Sequence, residues 1–486
     1  MYFLGVDLGT SSVKLVLIDE IGAIIRTTSR DYPLSMPHSG WSEQDPAHWW
    51  VESKQGICDI FEGLDKSQLA GISFGGQMHG LVILDEADTV LRPAILWNDG
   101  RTMEETAYLN TIVGKDTLAS LTANIAFAGF TAPKILWVKK HEPDLFAKIS
   151  KIMLPKDYLA YKLTGVHCTD YSDAAGMLLL DVANKCWSEE MLDICGITEA
   201  QMPKLFESYD VVGTLLPDVA AELGLPETVK ICAGAGDNAA AAVGTGTVEN
   251  GACNLSVGTS GTVFIASDAF TLPDNNAIHA FAHATGGYHL MGCILSAASC
   301  NKWWMEDILK TSDFAKEQES FVPLGTNGVV FAPYLMGERT PHNDPQVRGA
   351  FLGLGMDTTR GQMTQAVMEG VAYAMRDSLE IAKSLGVDIQ STKICGGGAK
   401  SPIWKQIFAN VLGIPVQSVE TEEGPGLGGA MLAAVGCGVY PSVKAMAAEV
   451  VKVTDTTMPD MEIHALYNKG YAQFSTLYQA VKHIKA

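Results

Sequence analysis

The feature that most constrains this chain is a repeat at half its length. Residues 8–16 read Leu-Gly-Thr-Ser-Ser-Val-Lys-Leu-Val, and residues 257–265 read Val-Gly-Thr-Ser-Gly-Thr-Val-Phe-Ile. In both copies a Gly-Thr-Ser turn follows one apolar strand and leads into another. The copies lie about 249 residues apart in a chain of 486. A short match alone carries little weight. The shared strand–turn–strand context and the half-chain spacing predict two related α/β cores, one per half. Length points the same way, because single cores rarely keep growing past roughly 250–300 residues. The division is expected between Gly246 and Asn254, giving units 1–246 and 247–486.

The elements follow from local pattern. Tyr2 to Val6 reads as a strand, Asp7 to Ser12 as a turn, and Val13 to Ile18 as a second strand; a third begins near Ala23. Strands joined by such short turns form an antiparallel meander. Leu69-Ala-Gly-Ile-Ser-Phe-Gly-Gly and Leu81 to Leu84 are further strands, and Pro46 to Phe61 reads as a helix with Asp45 as N-cap. Residues 99–226 are expected to be helices and loops elaborating the first core. The second half offers a glycine-rich strand end at Lys393 to Ala399, a helix from Pro402 to Leu412, and a turn from Glu423 to Gly429 before an Ala-rich helix. Glu462 to Lys485 reads as an amphipathic helix. Alternating strands and helices make the class α/β.

A formal charge of −21 argues against non-specific binding to nucleic acid or anionic membranes, since both would be repelled. The N-terminal run carries Asp7 and no basic flank, so it reads as a core strand rather than a signal peptide, and no stretch suits a membrane span. A cytoplasmic location is the expectation. The ten cysteines form no CxxC pair and read as small buried hydrophobes in a reducing compartment. His283, His289 and His342 have no metal-ligand spacing.

Gly-Thr-Ser turns after strands can present backbone N–H groups and hydroxyls to an anion. One such turn is usually only a turn. Two of them, with Gly396-Gly397-Gly398 as a third loop, suggest a cradle for a polyphosphate. No GxxxxGK[ST] motif is present, and Gly234-Ala-Gly236 lacks the third glycine of a dinucleotide fingerprint. Asp7 and Asp237 each end an apolar run, where a carboxylate is costly unless solvated, paired or metal-bound. Either could be a turn or capping residue. The chemical reading gives Asp7 to Mg²⁺, through water, and makes Asp237 the acceptor of a hydroxyl proton, as phosphoryl transfer requires. Gln77-Met78-His79-Gly80 and Trp97-Asn98-Asp99-Gly100-Arg101 are polar strand-end runs of the kind that bind hydroxyls, or else solvated loops.

Two longer stretches carry a resemblance. Gly129 to His141, and Gly349 to Leu354 continuing through Gln362 to Glu369, are similar to the two signatures of the FGGY family of carbohydrate kinases. The resemblance spans nearly the whole chain. It implies two ribonuclease-H-like domains of the actin, sugar kinase and Hsp70-like superfold, with a nucleotide cleft between them. It implies ATP and Mg²⁺, with Asp7 at the metal. It puts Thr10, Ser11 and Ser12 in the first phosphate loop and Gly258, Thr259 and Ser260 in the second. Gly397, Gly398 and Ala399 fall in the adenosine-side loop, with Asp237 as base and Asn238 beside the sugar. Gln77, Met78, His79, Trp97 and Asp99 are implied sugar contacts. Met78-His79, where glycerol kinases carry Arg-Glu, is similar to the family's xylulokinase branch, as are Leu96 to Arg101 and Tyr334 to Pro341. This implies D-xylulose as acceptor. A ribulose, gluconate or glycerol kinase, an actin-like or Hsp70-like ATPase and a non-catalytic sugar sensor are the alternatives, and a homodimer is left open.

Overall fold

The computed structural model describes residues 1–484 apart from 274, 275 and 422. Its first half opens with β1 (Tyr2–Leu8), β2 (Ser12–Asp19) and β3 (Ile24–Asp31), an antiparallel meander. β1 lies inside the sheet and is buried on both faces, which its apolar run from Phe3 to Val6 allows. β3 forms one sheet edge and is polar and half-exposed, so it templates no further strand. α1 (Pro46–Ile60) follows, with the Asp45 side chain accepting from the Ala47 N–H as expected of its cap. The chain then enters β4 (Leu69–Gly76), parallel to β1. The elaboration contains α2 (Thr131–His141) and α3 (Pro155–Thr164). β5 (Val211–Thr214) and β6 (Lys230–Cys232) complete the sheet path β3-β2-β1-β4-β6-β5. The two-residue strand Ala235–Gly236 runs beside the end of β4 and passes directly into α4 (Asp237–Gly244).

The second half repeats this plan. β7 (Cys253–Val257) and β8 (Gly261–Ser267) flank the second Gly-Thr-Ser turn. With β9 (His279–Ala282), β10 (Tyr288–Ile294), β11 (Thr392–Cys395), β12 (Val416–Val419) and β13 (Val453–Thr457), they form the order β9-β10-β8-β7-β11-β12-β13. Strand for strand, β10-β8-β7-β11-β12-β13 matches β3-β2-β1-β4-β6-β5, including the directions: antiparallel, antiparallel, parallel, parallel, antiparallel. β9 is the one addition to this path. The repeat seen in nine residues therefore extends over a whole sheet. The chain has the two-core α/β fold expected of actin-like sugar kinases.

Helices α5 (Arg360–Ser384), α6 (Pro402–Leu412), α7 (Gly424–Gly436) and α8 (Met461–Phe474) complete the second half. α6 has its expected bounds, set by the Ser401 cap and by Gly413 in the left-handed region. The expected final helix begins one residue early and breaks after Phe474, with a short turn of helix at Leu477–Val481; Lys485 lies outside the described residues.

Two expectations change here. Glu423 to Gly429 is not a turn, because α7 already begins at Gly424. Each glycine inside a helix costs about 1 kcal/mol relative to alanine. Close packing requires them here: a Cβ on Gly428 would sit 1.9 Å from the Ala240 carbonyl oxygen of α4, and one on Gly426 2.6 Å from a Val16 methyl. α7 also belongs to the second half in sequence but lies on the first sheet. Phe3, Val16 and Ile18 share a core with Ala239, Ala240 and Val243 of α4 and with Leu427, Ala430 and Met431 of α7. A Cβ on Gly5 of β1 would lie 1.9 Å from the Gly426 carbonyl oxygen. This glycine–alanine seam locks α4 and α7 against β1, and so fixes Asp237 relative to Asp7.

Candidate active site

Asp7 lies one residue from the end of β1, opposite Gly75 of β4 and Lys14 of β2. Lys14 Nζ is 2.5 Å from Glu423 Oε2, at the start of α7. Burial pushes the Asp7 carboxyl up to about 7; the nearby negative charge of Asp237 adds to this, and Lys14 opposes it. Asp237 is the first residue of α4. Its Oδ1 accepts from the Asn238 N–H at 2.7 Å and from Asn238 Nδ2 at 2.9 Å. These bonds favour the carboxylate, but burial prevails and pushes Asp237 up to about 6. The two carboxylates lie within electrostatic reach of each other, and a cation nearby would offset their repulsion.

The first Gly-Thr-Ser turn is held by side chains. The Gly9 carbonyl accepts from the Tyr32 hydroxyl and, at 3.2 Å, from Gln77 Nε2. The Thr10 carbonyl accepts from Gln44 Nε2 at 2.6 Å, and Thr10 Oγ1 accepts from the Trp97 indole at 2.9 Å. Gln44 Oε1 in turn accepts from Trp49 Nε1 at 3.0 Å and from Gln77 Nε2 at 3.1 Å. The scaffold thus takes up the turn's inner carbonyls, while Ser11 is exposed and Ser12 opens β2.

The second turn is held mainly by backbone. The Gly258 carbonyl accepts from the Ala298 N–H at 2.7 Å, and that of Thr259 from the Ala297 N–H at 2.9 Å and Ser299 Oγ at 2.6 Å. Thr259 and Ser260 are exposed. Both turns close with their first glycine N–H on a serine carbonyl, Gly9 to Ser12 and Gly258 to Ser260. The third loop packs on the end of β7. Gly396 has a φ of +85°, and a Cβ on Gly398 would lie 2.4 Å from Val257 Cγ1. Thr259, Ser299, Gly397, Gly398 and Trp404 border one cavity of about 720 Å³, a size suited to a nucleotide-sized molecule. Ala399 does not reach it. It closes the loop through its N–H on Gly396 and borders a separate small cavity with Ile394 and Ser418.

Gln77, Met78 and His79 continue from the end of β4. Met78 is buried against Gly236, and its sulfur lies 3.9 Å from Asn238 Nδ2. His79 has a φ of +69°, unusual for a side chain with a Cβ. Its strained backbone is fastened by two donors to its carbonyl, Lys134 Nζ at 2.7 Å and Thr131 Oγ1 at 3.1 Å, both from α2. The ring stacks on Phe130 at 4.5 Å between centroids, and Nδ1 lies 2.7 Å from the Gly176 carbonyl. A carbonyl only accepts, so Nδ1 carries the proton. Burial holds the ring's acidity at about 3, so the neutral form persists and Nε2 is an acceptor.

Asp99 differs from expectation. Its two oxygens accept from Ser42 N–H at 2.6 Å, Arg101 N–H and Nε, both at 2.9 Å, and Arg101 Nη2 at 2.7 Å. Four donors match the lone pairs of a carboxylate, which leaves none for a hydroxyl. Arg101 is itself buried over Trp41 and paired with Glu43. Asp99 therefore acts as the anchor of the turn that presents Trp97.

Sequence reasoning missed Tyr32, Gln44, Lys134 and a buried group behind Asp237. There Lys156 meets Asp157 at 2.7 Å and Asp170 at 2.9 Å, and Asp170 holds Ser172, whose Oγ accepts from Gly236 N–H at 3.2 Å. Among the described residues no group of three His, Cys, Asp or Glu could hold a metal ion by itself.

Residues 2–244 match the model of the FGGY family of carbohydrate kinases, N-terminal domain, and residues 253–437 match its C-terminal domain. The chain belongs to the FGGY family of carbohydrate kinases. The kinase is 40% identical to the xylulose kinase of Escherichia coli (strain K12), over 98% of both chains. It superposes with a TM-score of 0.94 on a xyloylose kinase from Brucella ovis at 40% identity, covering 99% of each chain. It superposes equally on a gluconate kinase from Lactobacillus acidophilus, at 26% identity and 99% and 98% coverage. The fold is thus shared across acceptor sugars, and the acceptor must be argued from the site.

Proposed function

We propose that this kinase transfers the γ-phosphoryl group of ATP to O5 of D-xylulose. The observation that carries the proposal is the convergence of Asp237, Asn238, Met78 and His79 at the ends of β4 and α4, beside the first Gly-Thr-Ser turn. Full-length likeness to a protein named xylulose kinase supports the choice of sugar.

In this reading adenosine lies in the cavity bordered by Gly397, Gly398 and Trp404, and the phosphates pass between Thr259–Ser260 and Thr10–Ser12. The sugar lies against Trp97, Met78 and His79. His79 Nε2 accepts from a sugar hydroxyl, Asn238 donates to another, and Gln77 holds the phosphate turn in place. Asp237 takes the O5 proton as the O5–P bond forms in line with the breaking bond to ADP, which leaves with the electron pair. A carboxyl near 6 is mostly ionised at neutral pH yet basic enough to share a proton, which suits general-base work. Asp7 would hold a Mg²⁺ arriving with ATP, through water, since one carboxylate plus phosphates is the usual Mg²⁺ arrangement. That ion would neutralise the β and γ oxygens and remove the repulsion between Asp7 and Asp237. The second sheet and the elements packed on it would close over the sugar and exclude water, while α7 stays with the first sheet.

The test is ADP release across D-xylulose, L-xylulose, D-ribulose, L-ribulose, glycerol and D-gluconate. The highest kcat/KM is expected with D-xylulose. A preference of tenfold or more for any other acceptor would overturn the assignment.

A further inference from the structure

The second half presents a wall to the sugar site, with one arginine in it, that the mechanism above does not use. In the antiparallel register, Thr262 stands opposite Cys293, Phe264 opposite Met291 and Ala266 opposite His289, while β9 puts His279 opposite Met291. These residues share one face of the second sheet. The face abuts the first half: His279 Nδ1 meets Asn124 Oδ1 at 3.0 Å, Asn124 Nδ2 donates to the Ala280 carbonyl at 2.9 Å, and His279 lies against Phe127 and Phe130 at 5.2 and 5.7 Å. Phe130 is the ring on which His79 stacks. At the other end of the face, next to the second phosphate turn, Thr262 and Cys293 are half-exposed although their strand neighbours are buried.

Arg339 stands at that opening. Its guanidinium lies 4.8 Å from the centre of the Phe127 ring, and its positive charge reaches the Cys293 thiol. Its charge is felt at both His79 and His279. Among the described residues no carboxylate lies within ion-pair distance of it. The backbone is fixed: Thr340 exchanges two 2.9 Å bonds with Cys293, and buried Glu338 Oε1 accepts from the Arg339 and Leu295 N–H groups at 2.8 and 3.0 Å. A half-buried guanidinium on a fixed backbone, set over one aromatic face and without an ion pair among the described residues, retains N–H donors for a ligand oxygen.

We propose that Arg339 is a specificity residue that reads the carbonyl end of a ketose. The inference rests on the reading of the site as a ketopentose site. With Asp237 at O5, the far end of the sugar extends toward His79 and the Phe127–Arg339 corner. There the planar fork donates to the C2 carbonyl and C1 hydroxyl oxygens, while neutral His79 accepts. The wall is contributed by the second half, so this contact forms across the cleft and couples acceptor recognition to closure.

The test is calorimetric binding of D-xylulose, xylitol and D-gluconate, with Mg-ADP present, to the wild type, Arg339→Met and Arg339→Lys. Xylitol has the same carbon chain with the carbonyl reduced. Wild type should prefer D-xylulose over xylitol by tenfold or more. Arg339→Met should weaken D-xylulose binding by about 10–100-fold, the range for losing a charge-assisted hydrogen bond, and bring the two sugars to within threefold. Arg339→Lys, which keeps the charge and guards against a folding defect, should lose about 3–10-fold, because it lacks the fork. ADP affinity should change less than twofold in both. Equal losses for D-xylulose and xylitol, or no loss for D-xylulose, would overturn the role of Arg339 and leave the proposed reaction standing. Wild-type preference for D-gluconate would overturn the proposed reaction itself.

Discussion

The two Gly-Thr-Ser turns have the same sequence core, and each is closed by its glycine N–H on a serine carbonyl, three residues on in the first and two in the second, yet their supports differ. The first, Gly9 to Ser12, is held by the side chains of Tyr32, Gln44, Gln77 and Trp97, two of which continue into the proposed sugar site. The second, Gly258 to Ser260, is held by the backbone of residues 297–298 and by Ser299, and borders the large cavity. One backbone motif has been placed in two environments. In the proposed reaction the first turn ties phosphate position to sugar position, and the second ties it to the nucleotide. Changes near the first turn should therefore affect sugar and transfer, and changes near the second should affect nucleotide affinity.

The largest effect expected is Asp237→Asn. Steady-state assays should show kcat lower by about 10²–10⁴-fold, the usual contribution of a general base, with the KM for ATP within about threefold. The same variant should be more stable. A carboxyl raised to about 6 binds its proton more tightly folded than unfolded, so its contribution is fully present below pH 3.8 and lost as pH rises through 6. At pH 8 the neutral amide should add about 1–3 kcal/mol in urea unfolding. Wild-type stability that rises between pH 5 and 7 in step with this group would contradict the sign.

Gly398→Val attacks the other environment. A side chain there collides with Val257, so the Kd for ATP should rise about tenfold or more while sugar affinity holds within twofold. Gln44→Leu breaks the first turn's support and leaves the Thr10 carbonyl and the Trp49 and Gln77 donors short of partners. A cost of about 1–3 kcal/mol per buried orphan predicts a loss of roughly tenfold in kcat/KM for sugar, with nucleotide affinity nearly unchanged. If both variants weakened ATP binding equally, the contrast between the turns would fail. The smallest effect is a shift in pH dependence. Asn238 bonds lower the Asp237 pKa, so removing the side-chain bond in Asn238→Ala should move the acid limb of kcat/KM to higher pH. An unmoved or lowered limb would mean that another group sets it.

Much of this was legible in the sequence because it is local. Strand, turn and strand recur in order around both Gly-Thr-Ser sites, and Asp7 and Asp237 stand out as charges ending apolar runs. The same reading failed where partners are distant. Asp99 looks like a free hydroxyl ligand until Ser42, 57 residues away in the chain, is seen to donate to it alongside Arg101. The glycines of α7 look like a turn until Ala240 and Gly5 occupy the space their side chains would need. Tyr32 and Gln44 carry no motif, since their value lies only in reaching the Gly9 and Thr10 carbonyls. Arg339 lay within a stretch already singled out, but its missing anion is a property of the assembled wall.

In the proposed reaction the charge and geometry around Asp237 direct a phosphoryl group to a sugar hydroxyl. This is tested most directly by phosphorus–proton correlation NMR of the product formed from D-xylulose and Mg-ATP. One phosphate ester per ADP is expected, correlated to the C5 methylene protons, and almost none with Asp237→Asn. Inorganic phosphate released with ADP and no ester, or an ester on another carbon, would contradict it.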